Sequence, residues 1–255
     1  MQIITALILL AACLQAQPKA NPLAPTGTLR AAFLGDNPVL GRLDAAGTVT
    51  GPVADLVKEM ALRAGVPYTL IPAAGARDIM DRLKAGTADI GFMAYNAGRA
   101  QDVDFSPAWL LMPNAYIVRA DSPIQKSADA DRTGVMIAAV QNDTQDVFLR
   151  NNLKNAKIKQ LPAMPTVDDI AKMLTGKEVD AFAANRQRLL EAAERHSSLR
   201  VIPDSYFVAG QAIATAKGDA ARSEAVNTML RQILATDLVK TAIEHAGLKG
   251  VEAAH

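Results

Sequence analysis

The sequence predicts an α/β protein, and three observations carry the prediction. Short apolar runs alternate with stretches whose apolar residues recur at helical spacing, the pattern of strands and amphipathic helices taken in turn. The alternation stops in the polar stretch Gln125 to Thr133 and then begins again, so one architecture is laid down twice. With 255 residues, 50% of them hydrophobic, the chain can bury one large core or two smaller ones. Periodicity alone fits both two lobes and one continuous doubly wound sheet.

Leu29 to Leu34 is a buried-strand run that ends in Gly-Asp-Asn-Pro, a loop signal. Val53, Leu56, Val57, Met60 and Ala64 then fall on one helical face, and Gly65 stops that helix. Tyr68 to Ile71 reads as a strand, Asp78 to Ala85 as a helix closed by Gly86, and Ala88 to Met93 as a third strand. Such βαβαβ order implies parallel strands joined by right-handed crossovers. Ala115 to Arg119 is the next strand, followed by the polar stretch, which is taken as the first crossing between lobes.

The second series runs through strand Val135 to Val140, helix Thr144 to Leu153, strand Lys157 to Leu161, and helix Thr166 to Leu174. It ends with strand Val179 to Ala184 and helix Arg186 to His196. Thr166 followed by Asp169 approximates a capping box, with acidic side chains at the positive end of the helix. Phe207 to Ala216 is a long strand leading out. Val226, Met229, Leu230, Ile233 and Leu234 mark an amphipathic helix after it, and Asp237 to Ala246 a last short one.

At the other end, Ile3 to Cys13 is an apolar run broken only by Thr5. It is too short to span a bilayer and reads as the core of a secretory signal, although Met1 and Gln2 supply no positive side chain. Leu10-Ala11-Ala12-Cys13 has the form of a lipobox. Cys13 becomes a lipidated first residue or is discarded with the leader, and both readings stay open. As the sole cysteine it leaves the mature chain without a disulfide. No later apolar run approaches the roughly 20 residues of a membrane span.

Lys and Arg number 27 against 26 Asp and Glu, a net charge of +1, so there is no electrostatic footprint for nucleic acid or an anionic membrane. His196, His245 and His255 have no metal-ligand spacing, and no metal or other cofactor is expected. G-x-S-x-G, P-loop and G-x-G-x-x-G signatures are missing too, so nothing announces an enzyme. The remaining partner is a small soluble molecule.

Three segments in fixed order carry a resemblance: T-G-P-V-A-D-L-V-K-E-M-A-L-R-A-G-V from Thr50, D-R-L-K-A-G-T-A-D-I-G-F from Asp81, and R-A-Q-D-V-D-F-S from Arg99. Together they resemble the first lobe of bacterial extracellular solute-binding proteins of family 3, which feed ABC importers. The resemblance implies a periplasmic binding protein-like type II fold, two α/β lobes joined by a two-strand hinge. It divides the chain into a signal peptide and leader over 1–25, lobe one over 26–119, lobe two over 120–206, and a return over 207–255 that packs on lobe one.

Ligands of open α/β sheets sit beyond the carboxyl ends of the strands. In the loop Phe92 to Arg99, the resemblance implies that Arg99 pairs with a ligand carboxylate, for which a planar guanidinium fork is suited. Gln141-Asn142-Asp143-Thr144 is similar to the family's Q-G-T-T segment, whose threonine and backbone N–H groups contact the same carboxylate at a helix N-terminus. Asp143 there replaces a neutral residue. Asn185 stands where amino-acid binders place an acid for the α-ammonium group, and Ala94 where a hydrogen-bonding serine is common. Asp36 is the candidate for restoring a negative charge, and Tyr95 and Asn96 are candidate pocket walls.

The resulting expectation is an exported, periplasmic, monomeric solute-binding protein that captures a small carboxylate-bearing solute and docks on an ABC permease, without being an enzyme. The rival is a cyclohexadienyl dehydratase-like enzyme on the same fold, with Asp36 or Asp143 as its carboxyl acid.

Overall fold

A computed structural model describes residues 21–44 and 46–254. The apolar leader and Cys13 lie outside the described residues. The first series comprises β1 (Leu29–Leu34), a small hairpin of β2 (Arg42–Leu43) and β3 (Val49–Thr50), α1 (Pro52–Ala64), β4 (Tyr68–Ala73), α2 (Ala76–Ala85) and β5 (Ile90–Ala94). A long strand, β6 (Val103–Arg119), leads to the second series. That series is β7 (Met136–Val140), α3 (Thr144–Asn152), β8 (Lys157–Leu161), α4 (Val167–Thr175), β9 (Ala181–Asn185), α5 (Arg186–Arg195) and β10 (Leu199–Val201). β11 (Phe207–Ala216), α6 (Ala220–Leu234), α7 (Leu238–His245) and β12 (Glu252–Ala253) complete the chain.

Among the described residues one sheet runs in the order β4-β1-β5-β11-β6-β9-β7-β8, with β10 and β12 pairing to β6 off this path. Each end is parallel, β4-β1-β5 at one and β9-β7-β8 at the other. Between them β11 and β6 run antiparallel to each other and to their outer neighbours, and they form the two-strand connection. The sheet is thus continuous in hydrogen bonding, yet its apolar residues divide. Leu29, Phe33, Leu56, Trp109, Ile213 and Leu230 belong to one core; Ala115, Ile117, Phe182 and Leu189 belong to another.

The division falls inside β6, which pairs with β11 from Val103 to Asn114 and with β9 from Asn114 to Val118. The crossing therefore lies at Asn114, ahead of the polar stretch Gln125 to Thr133 where it was expected, and Ala115 to Arg119 go with lobe two. At the other boundary Leu23 and Ala24, each 3% exposed, pack into the lobe-one core, so the lobe takes in part of the expected leader.

The local signals work as the physics requires. Gly65 and Gly86 end α1 and α2 in the left-handed region, with φ of 65° and 68°, where side chains other than glycine's are strained. Thr166 caps α4 by accepting the Asp169 N–H at 3.2 Å. One device is repeated in both lobes. Asp89, fully buried, accepts the Arg30 N–H at 2.9 Å and returns its own N–H to the Arg30 carbonyl at 2.8 Å. Asp180 does the same to Met136, at 2.9 Å in each direction. Each lobe thereby pins its third parallel strand to its first. Asp89 also holds the Arg30 guanidinium at 3.0 and 2.7 Å, a charge-assisted fork that the second lobe lacks.

Candidate ligand-binding cleft

A cleft of about 1080 Å³ opens between the lobes and is lined by strand ends and helix N-termini from both. All eight residues singled out in the sequence line it: Asp36, Ala94, Tyr95, Asn96, Arg99, Asp143, Thr144 and Asn185. They differ in what their side chains do.

Arg99 begins a single 3-10 turn after β5 and is 8% exposed. Its Nη1 donates to the Ala94 carbonyl and its Nη2 to the Asn142 carbonyl of the other lobe, both at 3.2 Å. Nη2 also faces Asp143 Oδ1 at 3.6 Å. Burial lowers the Arg99 pKa, and the Asp143 charge opposes that shift. Asn96 is a positioning residue, because its Oδ1 accepts the N–H groups of Gly98 at 2.8 Å and of Arg99 at 3.3 Å and so fixes the turn. Ala94 contributes its carbonyl, and Tyr95 is an exposed wall whose ring meets Phe105 edge-on at 5.4 Å.

Across the cleft, Asn142 takes φ of 62°, a left-handed conformation that asparagine tolerates. Asp146, fully buried, anchors this loop by accepting the Asn142 N–H at 2.9 Å and the Gln160 Nε2 at 2.9 Å. Asp143 is the N-cap of α3, and its side chain makes no capping bond. Thr144 is the first helical residue, buried, and its hydroxyl bonds to none of the described residues. The first N–H groups of α3 are thus left without side-chain acceptors and carry the positive end of the helix dipole. Burial raises the Asp143 carboxyl, with Arg99 opposing; protein surrounds it on most sides while 36% of its side chain still opens to the cleft.

Asn185 is spoken for: its Oδ1 accepts the Arg188 N–H at 2.9 Å and caps α5, so that oxygen is committed to the helix. Asp36 is on the exposed side of the cleft and pairs with Arg188, whose Nη2 donates to the Asp36 carbonyl and stands 3.8 Å from Oδ2.

Sequence reasoning missed Arg188, Gln211 and the Phe148–Phe207 wall. Gln211, fully buried on β11, presents an Oε1 that meets no donor among the described residues. The Phe148 and Phe207 rings stack at 4.7 Å and line the hinge side of the cleft. Arg188 carried a signal that went unused, since it lies one turn after the cleft residue Asn185. Among the described residues no group of three or more His, Cys, Asp or Glu is placed to hold a metal.

Two lobes of matching architecture, hinged by paired strands and facing each other across a cleft with a buried guanidinium, define a ligand-capturing protein. The model of the bacterial extracellular solute-binding proteins, family 3, matches residues 29–245, and the chain belongs to that family. Its fold is that of the type II periplasmic binding proteins. The substrate-binding protein of an amino acid ABC transporter superposes with a TM-score of 0.71 at 21% identity, covering 86% of this chain and 98% of that one. An L-arginine-bound binding protein from Streptococcus pneumoniae gives 0.72 at 20%, covering 88% and 96%. The ancestral amino acid-binding protein AncCDT-1, a precursor of cyclohexadienyl dehydratase, gives 0.69 at 24%, covering 86% and 94%. No curated protein sequence matches the chain.

Proposed function

We propose that this chain is an exported substrate-binding protein of an ABC importer that captures a small carboxylate-bearing solute between its lobes and presents it to a membrane permease. The observation that carries the reading is the buried Arg99 guanidinium of lobe one facing the uncapped N-terminus of α3 on lobe two. A carboxylate placed there meets a planar cationic fork from one side and backbone N–H groups from the other. Neither lobe alone desolvates such a ligand, so capture goes with hinge closure about β6 and β11. The protein works in the periplasm as a monomer, free after removal of its leader or tethered through a lipidated Cys13. Thermal shift across amino acids, dicarboxylates and aromatic acids tests the reading, because a ligand of the folded state raises the melting temperature by mass action. A flat response across all three classes overturns it.

A second reading, a dehydratase acting on prephenate or arogenate, is supported by one feature: Asp143 is a carboxyl in the cleft whose proton affinity is raised by burial. It ranks below capture because Asp143 already faces Arg99. Turnover of either acid, lost in Asp143→Asn, would reverse the ranking.

A further inference from the structure

We propose that the cleft is built for a dianion, a small dicarboxylate with one carboxylate on Arg99 of lobe one and the other on Arg188 of lobe two. The inference rests on the capture reading above and narrows its ligand.

The cations lie inside and the anions outside. The Arg99 and Arg188 side chains are 9% and 13% exposed, whereas their facing carboxylates, Asp143 and Asp36, are 36% and 53% exposed. Neither ion pair is a closed fork: the separations of 3.6 and 3.8 Å exceed hydrogen-bond length. The Arg188 Nε–H is buried and meets no acceptor among the described residues. A buried, desolvated donor of that kind is costly until an acceptor reaches it.

Both arginines border the same space, since each lines the one interlobe cleft. Burial disfavours the charged form of both, which is the condition under which an additional anion is welcomed. Helices α2 and α3 aim N-termini without side-chain caps at this space from opposite lobes, through Gly75 and Asp143. Their partial positive charges add to the two guanidinia. Met80, Met112, Phe148 and Phe207 supply apolar walls for the carbon body between the two acid groups. Asp36 and Asp143, already the wetter partners, give way toward the cleft mouth as the ligand's carboxylates take their places.

The test is calorimetric titration of the mature protein with L-glutamate, L-aspartate, succinate and 2-oxoglutarate. Glutamine, asparagine, lysine and arginine are titrated alongside. At least one diacid is expected to bind roughly tenfold or more tighter than its amide or cationic counterparts. Arg188→Gln removes that margin, so that the diacid-to-amide ratio falls to about one. Arg188→Lys, which keeps the charge and loses the fork, retains part of it, and the wild-type diacid-to-amide ratio stands even if Arg188→Gln does not fold. Succinate and 2-oxoglutarate against the two amino acids decide whether an ammonium group is also read. If amides or cationic amino acids bind as tightly as every diacid, while Arg99→Ala still abolishes binding, the dianion proposal falls and carboxylate capture stands. If no compound binds, both fall.

Discussion

Arg99 Nη2 and Asp143 Oδ1 face each other at 3.6 Å from opposite lobes, so one of the contacts bridging the cleft is made by the same charge a ligand carboxylate would meet. In the proposed capture mode a ligand carboxylate competes with Asp143 for one guanidinium, and the energetics of capture would follow from how each member of that pair is desolvated.

Arg99→Ala is expected to lower affinity for any carboxylate ligand by about 2 to 5 kcal/mol, the range for truncating one partner of a desolvated charge pair. Titration calorimetry on the folded variant reads this directly. An unchanged dissociation constant removes Arg99 from the site.

Asp143 makes stability depend on pH in a definite direction. Burial raises its carboxyl above the ordinary range, against the opposing charges of Arg99 and Arg188 and with the like charges of Asp36 and Asp146. The folded protein binds that proton more tightly than the unfolded chain. Its stabilising contribution is present in full below the ordinary aspartate value of about 3.9 and is lost as pH rises through the raised one. Asp143→Asn should therefore match the wild type near pH 4 and melt increasingly above it toward neutrality. Parallel melting curves across that window would contradict the burial argument.

Asp89 and Asp180 occupy equivalent places and should differ in cost. Asp89→Ala strands the partly buried Arg30 guanidinium and a strand N–H, and about 3 to 5 kcal/mol of stability is expected to go. Asp180→Ala strands only the Met136 N–H, for about 1 to 3 kcal/mol. Urea denaturation of the two variants ranks them, and equal losses would mean that the Arg30 fork adds nothing.

A Cβ at Gly91 collides with Cγ2 of Ile79, because α2 lies directly on β5 there. Gly91→Ala is expected to cost about 1 to 3 kcal/mol by overpacking. Pairing it with Ile79→Leu, which removes the colliding Cγ2 at nearly constant volume, should recover part of the loss, and a melting series on the single and double variants checks both steps.

The alternation of strands and helices was legible because glycine stops and helical spacing act locally: β1, β8 and β11 occupy the runs read from the sequence, Leu29–Leu34, Lys157–Leu161 and Phe207–Ala216. The first half of β6 was not: it contains Pro107 and Pro113, which lack the N–H a strand ladder uses. Proline is accommodated in strands at irregularities, and the pairing with β11 slips in register between Gln211 and Ala214, opposite Pro107. Ser106 repairs the gap by accepting the Ile213 N–H at 2.9 Å, a role its place in the V-D-F-S motif does not announce. In the cleft, loop positions were readable from motif order. Gln211 was not, since nothing local marks a strand glutamine as facing a cleft, and Arg188 was legible only through its place one turn after Asn185.

The 17 residues of β6 give the two lobes a common spine. Fraying it would strip Trp109 and Leu110 from one core and Ala115 and Ile117 from the other together. Heat should then melt the molecule as one cooperative unit, a single calorimetric peak despite separate hydrophobic clusters in each lobe.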